Sequence, residues 1–325
     1  MNDRPHSRGQ LTWIWVAAAC IVVLCGRAGG EESVGKITVY SREDLAQFCG
    51  TDRGLAYIEF PGTARRTLLG REDLYRPMPL DEVVDALARI TYPLDGIEAD
   101  IVILATPRRD LPESSAEGMV VFLSPGSIDY PQEHVHYAVT HEIGHVVQHA
   151  LMPDSRDDLW KQYASLRGIA LGAAPGSQAH AARPHEIFAE DFRILFGGDL
   201  ARCGSGAENH DLRSAESVSG LREFFLSLLH EWEGRIRIFA SPNPFRDHLV
   251  LRAFSLDGAS PLGEVTVYDA GGRVVRTITA SSPDRSEIVW DARNSDGGVL
   301  APGVYFIAIR SGSHIEVHKI TRIPG

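Results

Sequence analysis

The sequence predicts an α+β domain over residues 29–233, followed by an all-β immunoglobulin-like sandwich over residues 234–325. Three observations lead to this fold class. The chain has 325 residues, which is long for a single domain. Its first part mixes apolar residues at helical spacing with short apolar runs that are typical of buried strands. Its last part consists of short strands separated by turns rich in Gly, Asp and Ser.

Residues 1–28 are predicted to be a secretory signal peptide. The first ten residues carry two arginines, residues 11–24 form an almost unbroken apolar run, and Gly26 and Ala28 are the small residues that precede a cleavage site. The apolar run is shorter than the roughly 20 residues of a membrane span, so no stable span is expected. An uncleaved anchor and a lipidated form are the alternatives.

The net charge of −11 and the absence of a cluster of Lys and Arg argue against a nucleic-acid partner. Two cysteines, Cys49 and Cys203, follow the predicted signal peptide. In an oxidising compartment they either form one disulfide or stay as two isolated thiols.

The elements of the first domain follow from its apolar pattern. Short β-type segments are expected at residues 36–40 and 55–60, with a helical stretch capped by Ser41 between them. Residues 80–90 are an amphipathic helix with acidic residues in its first turn. Strands are expected at residues 101–105 and 119–123, the second of which is either a sheet edge that holds a peptide by strand addition or an interior strand.

The central motif is His141-Glu142-Ile143-Gly144-His145, which lies within a run of apolar residues at helical spacing. Pro131 and Pro153 bound this run and suit the start and end of a helix. Positions i and i+4 lie one above the other on a helix, so His141 and His145 can bind one metal. Glu142 is then the candidate general base beside a catalytic Zn²⁺.

A catalytic zinc needs a third protein ligand. Residues 185–193 predict a helix that starts near Pro184 and places Glu186 and Glu190 on one face. Glu186 is the preferred ligand, and Glu190 is the candidate acceptor for the other N–H of a ligand histidine. Two alternatives are open: that Glu190 is the ligand, and that the acidic residues at 190 and 191 form a solvated face.

Other histidines near the motif are not predicted to bind the metal. Position 151 is Leu where metzincins have a third histidine, which excludes that pattern. His149 is expected to turn away from the metal, and His134 and His136 are expected to be surface or capping residues.

The motif at 141–145, together with the run EIFAEDFR at residues 186–193, resembles the catalytic domain of the anthrax lethal factor type of gluzincin peptidase. The resemblance implies a zincin-like fold, with Glu186 as the third zinc ligand. That family places a Tyr shortly before the ligand Glu to steady the oxyanion. This sequence has none there, so either His180 takes that catalytic role or the oxyanion hole is weaker.

Seven short strands are expected between residue 236 and residue 320, and they predict the sandwich. Four segments of this region resemble the Ig-like tail domain of the flagellar hook-capping protein and, equally, the C-terminal sorting domains of type IX secretion. They are ASPNPF at 240–245, VYDAGGRVVR at 267–276, WDAR at 290–293 and APGVY at 301–305. The resemblance implies export or surface attachment without catalysis of its own.

These observations predict a bacterial zinc metalloendopeptidase that is secreted or held at the cell surface. It would hydrolyse a peptide or protein substrate with zinc-activated water and with Glu142 as general base. The C-terminal domain would contact export or sorting machinery. The alternative is an exported surface or binding protein whose zincin-like domain is catalytically weak.

Overall fold

The structure is a computed structural model that describes residues 32–172, 179–203, 209–230, 236–255, 264–279, 287–311 and 314–324. The predicted signal peptide and the predicted boundary at 233–234 lie outside the described residues. Among the helices that are described, none is long and apolar enough to cross a membrane.

The first domain mixes eight strands with six α-helices in the described ranges. The strands are β1 Glu32–Val34, β2 Ile37–Tyr40, β3 Cys49–Asp52, β4 Leu55–Ile58, β5 Arg66–Thr67, β6 Ala99–Ile103, β7 Ser115–Glu117 and β8 Val120–Leu123. The helices are α1 Leu80–Ala88, α2 Gln132–Leu151, α3 Asp157–Arg167, α4 Pro184–Phe196, α5 Asp199–Arg202 and α6 Leu221–His230.

Five of these strands form one sheet in the order β1-β2-β6-β8-β7. β2, β6 and β8 are parallel, and both β6 and β8 are buried along their whole length, as continuous apolar runs require. The possibility that residues 119–123 form the sheet edge is wrong, because β7 pairs antiparallel with β8 on its outer side. The three-residue strand β7 is therefore the edge.

The short helical stretch after β2 is smaller than the sequence predicts. Instead of a helix capped by Ser41, the chain makes one 3₁₀ turn over Asp44–Gln47 before it enters β3 at Cys49. The Asp44 carboxylate accepts hydrogen bonds from the Ser41 backbone N–H and hydroxyl, at 2.8 and 2.6 Å. The acidic side chain thus caps the serine, which is the reverse of the predicted arrangement.

Helix α2 is the centre of the first domain and contacts α1, α4, α5, β7 and β8. It begins after Pro131, which is extended, and ends at Leu151, two residues before Pro153. Helix α4 begins at Pro184, whose missing N–H costs nothing in the first turn. The two helices approach closely at Gly144, where a Cβ atom would lie 2.8 Å from the Ala189 Cα.

The second domain contains the seven predicted strands in two sheets, ordered β13-β10-β9 and β12-β11-β14-β15. They are β9 Ile236–Ser241, β10 Leu249–Ser255, β11 Glu264–Asp269, β12 Val274–Thr279, β13 Glu287–Trp290, β14 Gly303–Ser311 and β15 His314–Arg322. Alternating residues of both sheets form a core around Trp290, which contacts Phe245.

The predicted cysteine pair and one ion pair are the two candidates for links between distant parts of the chain. Cys49 and Cys203 are both exposed and unbonded, so of the two alternatives the structure has isolated thiols. Arg252 in β10 and Asp100 in β6 form an ion pair between the domains, with 2.6 Å between Arg252 Nη1 and Asp100 Oδ2.

Candidate metal centre

Three side chains from two helices converge at the centre of the first domain. His141 and His145 project from α2 with their ring centroids 5.0 Å apart. Glu186, in the first turn of α4, places its Oε2 atom 3.4 Å from His141 Nε2 and 3.2 Å from His145 Nε2. Among the described residues these three could hold one metal ion, because their donor atoms all lie within 4.8 Å of one another.

The donor spacing fits a zinc-sized ion better than it fits hydrogen bonds. Zinc bonds to nitrogen and oxygen are about 2.0–2.1 Å long, so two ligand atoms of a tetrahedral site lie about 3.3 Å apart. The two distances from Glu186 to the imidazoles bracket this value, whereas both reach or exceed the upper limit of about 3.2 Å for a good hydrogen bond. The donor set of two imidazoles and one carboxylate is one that zinc accepts.

The charges of this site favour a cation. Burial lowers the pKa of His141, but the nearby Glu186 and Glu190 outweigh burial and raise it to about 10. Burial raises the pKa of Glu186, but the adjacent imidazoles of His141 and His145 outweigh burial and hold the pKa of that carboxyl well below its usual range. The carboxylates therefore stabilise positive charge at the point where the imidazoles meet.

Glu142, next to the first ligand, has one carboxylate oxygen without a hydrogen-bond partner among the described residues. Its side chain is buried, and its Oε2 atom makes no hydrogen bond within the described part of the chain. Burial raises the pKa of Glu142, while the charges of His141 and His145 and a hydrogen bond from the Ala116 backbone oppose that rise. A buried carboxylate with a free oxygen and a raised pKa is suited to accept a proton.

Glu190 lies behind the imidazole of His141. Its Oε2 atom is 3.5 Å from His141 Nδ1, on the opposite side of the ring from Glu186. Arg193 holds both Glu190 oxygens, its guanidinium lies over the Tyr137 ring, and it also donates to the Ala201 carbonyl. Burial raises the pKa of Glu190, but the hydrogen bonds from Arg193 and the nearby imidazole of His141 outweigh burial and lower this pKa to about 2.

The acidic residues at 190 and 191 do not form a solvated face, and that alternative is wrong. Both Glu190 and Asp191 are buried, and each pairs with a buried arginine. Asp191 accepts a 2.6 Å hydrogen bond from the Tyr163 hydroxyl and pairs with Arg167 Nε at 2.8 Å. This polar cluster ties α3 to α4 behind the metal-binding face.

The remaining histidines occupy different environments. His180 is about half exposed, and its Nε2 atom lies 3.1 Å from Glu186 Oε1. Burial and the charge of His145 lower the pKa of His149 to about 4, so this residue is neutral. His134 stacks on Tyr130, with a centroid distance of 4.2 Å. His136 is only 1% exposed, so its predicted place on the surface is wrong.

A cavity of about 660 Å³ opens beside the three ligands. One wall is formed by α2, and the other by the segment 111–116, which includes the start of the edge strand β7. His141, Glu142 and Glu186 all line this cavity, as does His180. The sequence did not point to the segment 111–116, because it is short and polar and shows no periodicity.

A protein-family model matches the C-terminal part of the chain. Residues 250–314 match the FlgD Ig-like domain family. This match supports the predicted sandwich and its predicted resemblance to the Ig-like domain of the flagellar hook-capping protein. No curated protein matches the chain.

Two solved structures from Porphyromonas gingivalis share some similarity with the chain. One is PorZ, a bacterial surface component of the type IX secretion system, at 24% identity and a TM-score of 0.22, over 26% of this chain and 11% of PorZ. The other is dimeric latent PorU, at 22% identity and a TM-score of 0.22, over 28% of this chain and 9% of PorU. The chain thus spans about a tenth of each protein.

Proposed function

We propose that this protein is an exported zinc metallopeptidase whose first domain is zincin-like. The observation that carries the proposal is the convergence of two imidazoles and a carboxylate at zinc-ligand spacing, beside a buried carboxylate with a free oxygen. The cavity next to these groups gives a substrate access to them.

His141, His145 and Glu186 would hold the metal, and Glu190 would fix the orientation of the His141 ring from behind. When bound, zinc lowers the pKa of a coordinated water to about 7 and polarises the substrate carbonyl. Glu142 accepts the proton of the attacking water and then donates it to the nitrogen of the leaving amine. Its raised pKa makes it a better base than an ordinary glutamate.

The substrate would be an extended peptide bound along β7. This strand pairs with β8 on one side, and its residues Ser115 and Ala116 line the cavity. An extended peptide can add to such an edge through backbone hydrogen bonds, which do not depend on side-chain identity. The Ala116 backbone also contacts Glu142, so strand addition brings a scissile bond next to the base.

His180 is the candidate for oxyanion stabilisation, since it lies at the cavity and within 3.1 Å of Glu186. The second candidate function is an exported surface or binding protein with a catalytically weak first domain. It is favoured by the absence of a Tyr shortly before Glu186 and by the exposure of His180. The intact Glu142 favours the peptidase.

Export is proposed from the N-terminal apolar segment and from the Ig-like domain. The protein would be secreted or attached at the cell surface, and the Ig-like domain would contact the export or sorting machinery. Catalysis and delivery would then belong to different domains of one chain.

The direct test is cleavage of a peptide mixture, with the new termini identified by mass spectrometry. The wild-type protein with zinc is expected to cleave, and Glu142→Gln is expected to cleave about 10²–10⁴-fold more slowly, because the general base is lost. Glu133→Gln, in the first turn of the same helix and outside the cavity lining, is the matched control and should retain activity. Equal cleavage by wild type and Glu142→Gln, or none by zinc-loaded wild type, would contradict the proposal.

A further inference from the structure

A second cluster of metal-ligating side chains lies between α1 and α2, outside the site described above. Glu82 and Asp85 project from α1, and His136 projects from α2. Their donor atoms lie within 4.8 Å of one another. His136 precedes His141 by five residues, which is about 140° around the helix, so the two clusters occupy different faces of α2.

The burial of His136 and its lack of hydrogen bonds to other described residues are an independent indication that it binds a metal ion. Its side chain is 1% exposed, and neither ring nitrogen makes a hydrogen bond among the residues that the structure describes. Buried polar groups almost always have a partner. His136 Nε2 faces Asp85 Oδ2 at 3.3 Å and Glu82 Oε2 at 3.6 Å, outside hydrogen-bond range. These distances are close to the separation of about 3.3 Å between ligands of a tetrahedral metal.

Both carboxylates are already held in place by neighbours. Arg89 Nε donates to Asp85 Oδ2 at 2.6 Å, and Gln132 Nε2 donates to Glu82 Oε1 at 2.5 Å. The Glu82 oxygen that faces His136 is not the one bound by Gln132. A carboxylate oxygen has two lone pairs, so Asp85 Oδ2 can accept from Arg89 and still bind a cation. Such outer partners are typical of metal sites.

We propose that His136, Glu82 and Asp85 form a second site for a divalent transition metal, with Zn²⁺ as the representative ion. One imidazole and two carboxylates are a donor set for metals of this class, and water would complete the coordination from the exposed side of Asp85. A metal bound at this site would link α1 to α2, the helix that carries the His141–His145 motif. Because it is assembled only in the folded chain, its occupancy would stabilise the fold.

The test uses the full chain stripped of metal and titrated with Zn²⁺, with bound zinc counted by elemental analysis after gel filtration. Asp85→Asn removes a half-exposed ligand without disturbing the core, and Asp81→Asn, in the first turn of the same helix, is the matched control. The second site predicts one zinc fewer in Asp85→Asn than in wild type, and no loss in Asp81→Asn. Glu82→Gln should weaken this binding at least about tenfold.

Glu186→Ala separates this proposal from the proposed function, because it removes a ligand of the other site only. If both sites bind, wild type holds two zinc ions, each single variant holds one, and the double variant holds none. If only the second site binds, Glu186→Ala keeps the wild-type content and Asp85→Asn loses it. Equal zinc content in wild type and Asp85→Asn would overturn the second site and leave His136 as an ion-pair partner of the two carboxylates.

Discussion

The close approach of α2 and α4 at Gly144 gives a sharp prediction about the metal site. Gly144 lies inside the HExxH motif, and a Cβ atom there would be 2.8 Å from Ala189 Cα and 2.9 Å from its carbonyl oxygen. Ordinary contact between carbon atoms begins at about 3.5 Å. Gly144→Ala must therefore move α4 by roughly 0.7 Å relative to α2.

Such a displacement is large compared with the tolerance of a metal site. Glu186 lies one turn before Ala189 on α4, whereas both histidines lie on α2. Ligand distances in working sites stay within about 0.2 Å of their ideal values. We therefore expect Gly144→Ala to weaken zinc binding at this site by at least about tenfold. Overpacking should cost about 1–3 kcal/mol, against a helix-propensity gain of about 1 kcal/mol.

The assay is competition for zinc with a chromophoric chelator, accompanied by urea unfolding of the metal-free protein. Ala189→Gly is the control in the Gly144→Ala background, and it should not restore affinity because the contacts of the new Cβ are with backbone atoms of Ala189. Unchanged zinc affinity with a higher free energy of unfolding would contradict this expectation, since helix propensity alone predicts that result.

Three further predictions follow from buried charges and from metal linkage. Arg193→Met leaves the Glu190 carboxylate buried without its cation and should lower the free energy of unfolding by about 3–5 kcal/mol in urea titrations; a loss under 1 kcal/mol would contradict this. Arg252→Ala removes the ion pair between Arg252 and the buried Asp100 of β6 and should destabilise the first domain by about 2 kcal/mol, whereas no change in its thermal unfolding would contradict this expectation. In the Asp85→Asn protein, which keeps only the site of His141, His145 and Glu186, chelation of zinc present at 100 times its Kd should remove about 2.7 kcal/mol of stability in calorimetry. Adding Glu142→Gln should leave that loss unchanged, because the substitution keeps the three ligands.

Helices and buried strands of this chain are predictable because their signals are local. The boundaries of α2 follow from Pro131 and Pro153, and α4 begins at Pro184 as its sequence indicates. The strands of the sandwich follow from alternating residues and regular turns. These patterns are set by backbone geometry and do not depend on which elements pack together.

The arrangement of elements depends on contacts distant in sequence, and there prediction is weaker. The position of β8 inside the sheet is set by β7, a strand of three half-buried residues that leaves no periodic signal. His136 is buried because α2 is covered on most of its faces, so the helical period does not mark an exposed side. Glu190 and Asp191 look like surface acids in sequence, and only the fold brings Arg193 and Arg167 to them.

The zinc content of the Asp85→Asn protein is the most direct test of the proposed catalytic site, because only the site of His141, His145 and Glu186 is then counted. We expect one zinc per chain, lost when Glu186→Ala is added and largely kept when Glu190→Ala is added instead. Absence of zinc after reconstitution of the Asp85→Asn protein, or loss with Glu190→Ala and not with Glu186→Ala, would contradict it.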